Sequence, residues 1–163
     1  MSNQAIVRAA DICDIDPNVQ VVELTFHDFA KRRCFHGEAV TFSTYETNKG
    51  LMDVLKRGGE GKVLVVDGRG SQRHALTGGN IAEDACKLGW EGIIYNGAVR
   101  DVHEIMELDF GVKALCSTPV PPHRNAEGIP DVMLRFGGVV INPGDYIYAD
   151  IDGVIVCQKP MHS

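Results

Sequence analysis

The segment Lys62-Val63-Leu64-Val65-Val66-Asp67-Gly68 restricts the fold more than any other. A continuous apolar run of this length, ended by a turn, reads as a strand buried on both faces, which places it inside a layered α/β structure. Two further strands follow at similar spacing, Gly92 to Asn96 and Val112 to Cys116. Helical patterns lie between them. Asn80 with Glu83 forms a capping-box pattern ahead of Ile81 to Leu88, and Gly89 supplies a stop. Asp101 to Leu108 can form a short helix. A strand-helix-strand-helix-strand rhythm implies a parallel sheet with crossover helices.

The flanks are less regular. Ser2 to Asp14 carries Ile6, Ala9, Ala10 and Cys13 at helical spacing, Val19 to Leu24 reads as a short strand, and Glu38 to Tyr45 as a longer one. Asn48 is positioned to cap a helix bearing Leu51, Met52 and Leu55 that stops at Gly58-Gly59. Gly68 to Gly79 reads as a polar connection. The last third is β-rich. Val132 to Phe136, Val139 to Asn142, Tyr146 to Ala149 and Val154 to Cys157 are divided by Gly137-Gly138, Asn142-Pro143-Gly144-Asp145 and Asp150-Ile151-Asp152-Gly153, which read as hairpin turns. The expectation is a single α/β domain over residues 1–163.

Composition narrows the functional classes. With 163 residues the chain is of one-domain length. A net charge of -6 argues against binding nucleic acid through a basic surface. The five cysteines are scattered without a Cys-x-x-Cys pair, as for reduced thiols in a cytoplasmic protein. No apolar run approaches membrane-spanning length, and the first residues lack a basic-then-apolar signal pattern.

Several motifs carry no chemistry on inspection. Gly68-Arg69-Gly70 has Arg73 where a dinucleotide fingerprint needs its third glycine, and Gly61-Lys62 is followed by no Ser or Thr. The six histidines show no ligand spacing. Lys62 and Lys113 are conceivable Schiff-base lysines without local support. Asp145, Asp150 and Asp152 read as turn residues.

The segment from Gly78 to Glu104 is different. Gly78-Gly79-Asn80-Ile81 leads into a helix, so unpaired backbone N–H groups and the helix dipole make either an anion seat or an ordinary N-cap. Arg100-Asp101 lies near the carboxyl end of the strand before it, where open α/β sheets place ligands. Arg100 offers a fork suited to a carboxylate. Asp101 and Glu104, three apart, can hold a magnesium ion directly or through water, or can form a capping box.

Over nearly its whole length the chain resembles the family that joins the regulator of ribonuclease activity A (RraA) to the 4-hydroxy-4-methyl-2-oxoglutarate aldolases. The resemblance is carried by Phe35-His36-Gly37-Glu38-Ala39-Val40-Thr41, by Gly61 to Gly68 and by Trp90 to Arg100. It continues in Phe136-Gly137-Gly138-Val139 and in Gly144 to Asp150, leading into Gly153-Val154-Ile155. It implies a swivelling β/β/α-type fold, a homotrimer, and one of two functions. Aldolase members carry a glycine, twenty residues, then Arg-Asp-x-x-Glu/Asp, which is met here by Gly79, Arg100, Asp101 and Glu104. By that resemblance the amides of Gly78, Gly79, Asn80 and Ile81 hold the substrate carboxylate and Arg100 binds the same substrate. Asp101 holds a divalent metal, magnesium or manganese, with Glu104 acting through metal-bound water. The implied activity is metal-dependent release of pyruvate from a 4-hydroxy-2-oxo acid, with decarboxylation of oxaloacetate at the same site. The alternative is a regulator that binds ribonuclease E; members with that role alone lack the Asp, which this chain keeps.

Overall fold

The structure, a computed structural model, describes residues 4–162. In chain order its elements are α1 (Ala9–Ile15), β1 (Gln20–Val21), β2 (His27–Asp28), β3 (Phe35–Ser43), α2 (Leu51–Leu55), β4 (Lys62–Asp67), β5 (Ala75–Thr77), α3 (Gly79–Lys87), β6 (Gly92–Val99), α4 (Val102–Ile105) and β7 (Gly111–Ser117). They continue with β8 (Ile129–Pro130), β9 (Leu134–Phe136), β10 (Val139–Ile141), β11 (Tyr146–Asp150) and β12 (Gly153–Cys157).

Among the described residues ten strands form one mixed sheet whose main path runs β1-β12-β11-β3-β4-β6-β7-β2. The centre, β3-β4-β6-β7, is parallel, and each step crosses over through a helix: α2, then α3, then α4. This is the architecture that the three apolar runs predict. The alternation along β4 sorts its side chains onto two cores. Leu64 and Val66 face Leu51, Val54, Leu55, Ala82, Ala85 and Ile105 from the three helices. Val63 and Val65 face the opposite layer, with Leu134, Val139 and Ile141 of the β9–β10 hairpin and Val154 and Val156 of β12. Both faces of the central strands are therefore covered, as a run without polar residues requires. Gly92 and Gly111, paired across β6 and β7, leave the space that the buried Phe35 ring fills.

Several local expectations are corrected. The first helix is shorter than Ser2 to Asp14; residues 2 and 3 lie outside the described residues, and helix begins at Ala9, where the Asp150 carboxylate accepts the Ala9 N–H at 2.8 Å. Asn48 does not cap α2. Gly50, at φ 94°, holds that position, and Asn48 contributes only its main-chain carbonyl to Leu51. Asn142 to Asp145 is a turn but not a hairpin, since β10 pairs with β9 and β11 pairs with β12 and β3. The Gly144 N–H donates to Ala39 O and the Ala39 N–H to Asp145 O, so β3 captures the chain as it leaves the hairpin layer. Gly137-Gly138 and Ile151-Asp152 do close hairpins. Among the described residues no helix is long and apolar enough to cross a membrane, and all five cysteines are free thiols.

Candidate functional site

Strand β6 is longer than its partner β4, and this difference builds the site. β4 pairs with β6 from Gly92 to Asn96 and then ends at Asp67-Gly68. The connection from Gly68 to Gly79, expected to be loop throughout, contains β5. This strand takes over as the neighbour of β6 by pairing Ala75 with Ala98 and Thr77 with Val99. Ala75-Leu76-Thr77 is the apolar signal that marks it, too short to stand out from sequence. The hydroxyls of Thr77 and Tyr95 are hydrogen-bonded inside the core, and burial pushes the Tyr95 phenol well above its usual range. The Arg100 N–H donates to Thr77 O at 2.9 Å. Gly78 and Arg100 thus leave adjacent strand ends side by side, at the carboxyl edge of the sheet.

Helix α3 starts at Gly79 with Gly78 as its N-cap, and neither Asn80 nor any other local side chain caps it. The capping-box expectation for Asn80 and Glu83 is not met, because an aspartate from elsewhere fills that role. Asp101 Oδ2 accepts the Gly79 N–H at 3.0 Å, twenty-two residues away in sequence. Asp101 reaches it by adopting φ 58° and ψ 41°, a left-handed conformation that aspartate tolerates better than most residues. It precedes α4 but makes no side-chain cap to that helix, so Asp101 and Glu104 do not form a capping box. The reason is steric and electrostatic: the left-handed backbone turns the carboxylate away from α4 and toward the positive end of α3.

Glu104 arrives at the same place. A Cβ on Gly79 would overlap the Glu104 carboxylate, and one on Gly78 would lie 2.5 Å from Asp101 Oδ2 and 3.7 Å from Arg100 Nε. The two glycines are therefore the floor on which Arg100, Asp101 and Glu104 converge. Arg100 Nε is buried there without a hydrogen-bond partner. An orphaned guanidinium N–H is costly to bury unless something else supplies an acceptor. The site thus combines an unsatisfied cationic donor with two carboxylates and a helix N-terminus.

The fit to the expected ligands is testable on these atoms. Asp101 Oδ2 is engaged by Gly79, which leaves Oδ1 for a cation, and the Glu104 carboxylate over Gly79 offers a further hard oxygen, directly or through water. An all-oxygen set of this kind suits magnesium or manganese. Because the Gly79 N–H is donated to Asp101, the amides with no carbonyl four residues earlier in α3 that remain for an anion are those of Asn80 and Ile81. Lys113 is buried and lies 3.0 Å from Asp28 Oδ1. That ion pair sits on β7 and β2 and gives no support to a nucleophilic lysine. His74 and His123, unrelated in sequence spacing, are brought together beside Glu46, a cluster that the chain order conceals.

Comparison with known proteins gives one family and diverse names. The RraA-like family (Aldolase/RraA) matches residues 9–156. A relative from Pseudomonas fluorescens strain SBW25 is 47% identical over 152 residues, covering 93% of each chain, and carries the name "Putative 4-hydroxy-4-methyl-2-oxoglutarate aldolase". A Marinomonas relative of the same name is 42% identical over 152 residues, 93% of this chain and 94% of its own. Among solved structures, the RNA-processing inhibitor RraA from Thermus thermophilis superposes with a TM-score of 0.93 at 37% identity, covering 98% of this chain and 97% of that one. A Geobacillus kaustophilus protein described as S-adenosylmethionine:2-dimethylmenaquinone methyltransferase gives 0.92 at 41% identity, with 95% and 97% covered. Three different descriptions on one fold mean that the fold does not select among them, and the site must.

Proposed function

The chain belongs to the RraA-like family, and from that premise we propose that it is a divalent-metal-dependent lyase. Its substrates are 4-hydroxy-4-methyl-2-oxoglutarate and related 4-carboxy-4-hydroxy-2-oxo acids, cleaved to pyruvate and a second keto acid, and it also decarboxylates oxaloacetate. The observation that carries this reading is the buried Arg100 Nε, left without a partner beside Asp101 and Glu104. A carboxylate-bearing substrate supplies the missing acceptor.

In this mechanism Arg100 and the Asn80 and Ile81 amides hold the substrate carboxylate, with the α3 dipole adding positive potential. Asp101 and Glu104 would hold the cation, which supplies offsetting charge for the anion that develops when the carbon–carbon bond breaks. Gly78 and Gly79 keep the floor clear of side-chain atoms, so substrate and carboxylates approach the helix end closely. The Asp101–Gly79 hydrogen bond fixes the acid in position before substrate arrives, an arrangement that lowers the cost of reorganisation during reaction. The family resemblance further supports a homotrimer.

The test is pyruvate release from both substrates, measured with added magnesium or manganese and again after chelation. Metal-dependent turnover of either substrate supports the proposal, and no pyruvate from either under any metal would overturn it. A second reading, a ribonuclease E-binding regulator, is favoured by the likeness to the Thermus RNA-processing inhibitor and by the net charge of -6, which suits basic protein segments. Association with purified ribonuclease E that weakens at raised salt would support it; no association at low salt would remove it.

A further inference from the structure

The cluster around Glu46 lies outside the site just described and is built from three loops. Glu46 follows β3 in a left-handed conformation, φ 58°. His74 immediately precedes β5, and His123 belongs to the connection between β7 and β8. One ligand-type atom from each of the three lies within 4.8 Å of the others. Four-coordinate zinc with bonds near 2.0–2.1 Å places neighbouring donors about 3.3 Å apart, so side-chain movements of about an ångström or two bring the three into range.

Two features make this more than a chance meeting of polar side chains. The loops are already fastened together by the main chain. The His123 N–H donates to Glu46 O at 2.7 Å, Thr47 and His123 form a β-bridge, and the Ala75 N–H donates to Val120 O at 2.8 Å. The second feature concerns the protons. His74 Nδ1 lies 2.7 Å from Pro121 O. A carbonyl only accepts, so Nδ1 carries a proton, and in the neutral ring the lone pair is then on Nε2. A carbonyl holding the far nitrogen in this way is the usual orienting contact of metal-bound histidine. The rings of His74 and His123 lie against each other, 3.9 Å apart between centroids, so a small rotation of either ring changes which nitrogen meets the Glu46 carboxylate.

We propose that Glu46, His74 and His123 form a transition-metal site, with zinc as the matching ion. Two imidazole nitrogens and one carboxylate oxygen suit zinc and disfavour magnesium or calcium, which prefer oxygen alone. The site is distinct from the Asp101 centre in residues and in donor type. It has a built-in competitor. Arg73 holds Glu46 through both oxygens, at 2.9 and 2.7 Å, and Ser71 Oγ donates to the same carboxylate at 2.8 Å. Metal entry displaces the exposed guanidinium from one oxygen, so affinity is set by the difference between the two cations. Because β5 joins His74 to Gly78, a bound ion also pins the strand that delivers the glycine floor of the other site.

The experiment uses tag-free protein carrying Asp101→Ala, which removes one of the two proposed acidic ligands of the other centre, and titrates it with zinc against a chromophoric chelator. It needs no substrate, so its outcome is independent of the lyase reading. One zinc per chain is expected, together with a rise in thermal midpoint that chelation reverses. His123→Ala, on an exposed loop and safe for folding, should weaken binding by about tenfold or more, as should His74→Ala, while Arg73→Gln should tighten it. Absence of zinc binding, or unchanged affinity in His123→Ala, would overturn the site. Unchanged or weaker binding in Arg73→Gln would show that Glu46 is not a ligand, and would overturn the three-residue assignment.

Discussion

None of the four helices among the described residues has a local side-chain cap, and in two of them, α1 and α3, a distant aspartate accepts the first N–H. At α1 it is Asp150, 2.8 Å from Ala9 N; at α3 it is Asp101, 3.0 Å from Gly79 N. The contacts are alike, but the surroundings differ. Asp150 is buried, and its other oxygen accepts the Asp152 N–H, so the carboxylate is fully used in holding the β11–β12 turn against α1. Asp101 is exposed, its second oxygen is uncommitted, and it stands beside an orphaned guanidinium and a second carboxylate. A capping carboxylate whose capacity is exhausted is structural. One with capacity left over, next to unsatisfied donors, is available for a ligand.

This contrast can be broken by substitution. Asp101→Ala should have the largest effect, lowering metal-dependent pyruvate release by more than about a hundredfold while costing only about 1 kcal/mol of stability for the lost cap. Asp101→Asn keeps an acceptor for the Gly79 N–H and should lose activity with the urea midpoint unchanged; parallel loss of both would make Asp101 as structural as Asp150. Gly79→Ala comes next. Its methyl group would displace the Glu104 carboxylate, and kcat should fall about tenfold or more with the helix content retained in circular dichroism.

Asp150→Ala should show the opposite balance. It loses two charged hydrogen bonds and should destabilise the chain by about 2 kcal/mol in urea titration, with pyruvate release per folded molecule intact. The smallest effect is a pH dependence on the α1 side. His36 is buried, with Nδ1 2.7 Å from Tyr146 OH and its ring 4.6 Å from that of His162. Desolvation holds its pKa below the ordinary 6.5, with the nearby His162 acting in the same direction and the Ala5 carbonyl opposing. The unfolded chain therefore takes up the proton first. This contribution to stability is present above pH 6.5 and is lost as pH falls from there toward the lowered folded value. Urea midpoints measured about one pH unit above and one below that ordinary value should separate more in the natural chain than in His36→Gln.

The parallel centre of the sheet is legible from Val63 to Val66, Ile93 to Tyr95 and Val112 to Ala114, because a strand covered on both faces must be apolar at nearly every position. The Gly79, Arg100, Asp101 and Glu104 pattern is legible as well, since its spacing survives in the chain order. Local capping is misleading at Asn48 and Asn80 for a physical reason. A helix N-terminus needs any nearby acceptor, and sequence shows only the neighbours along the chain. The Asn142 to Asp145 turn misleads similarly: a turn motif specifies reversal but not which strand receives the chain afterwards.

Sequence alone determines the layered α/β class, the parallel core and the residue types at the candidate site, through hydrophobic periodicity and fixed spacing. Only the tertiary structure decides how those residues are used. There β5 extends the sheet beside β6, Asp101 turns left-handed to cap α3, Arg100 is left with an unmet donor, and Glu46, His74 and His123 meet. Each depends on contacts between segments distant in sequence, and local pattern carries no record of those distances.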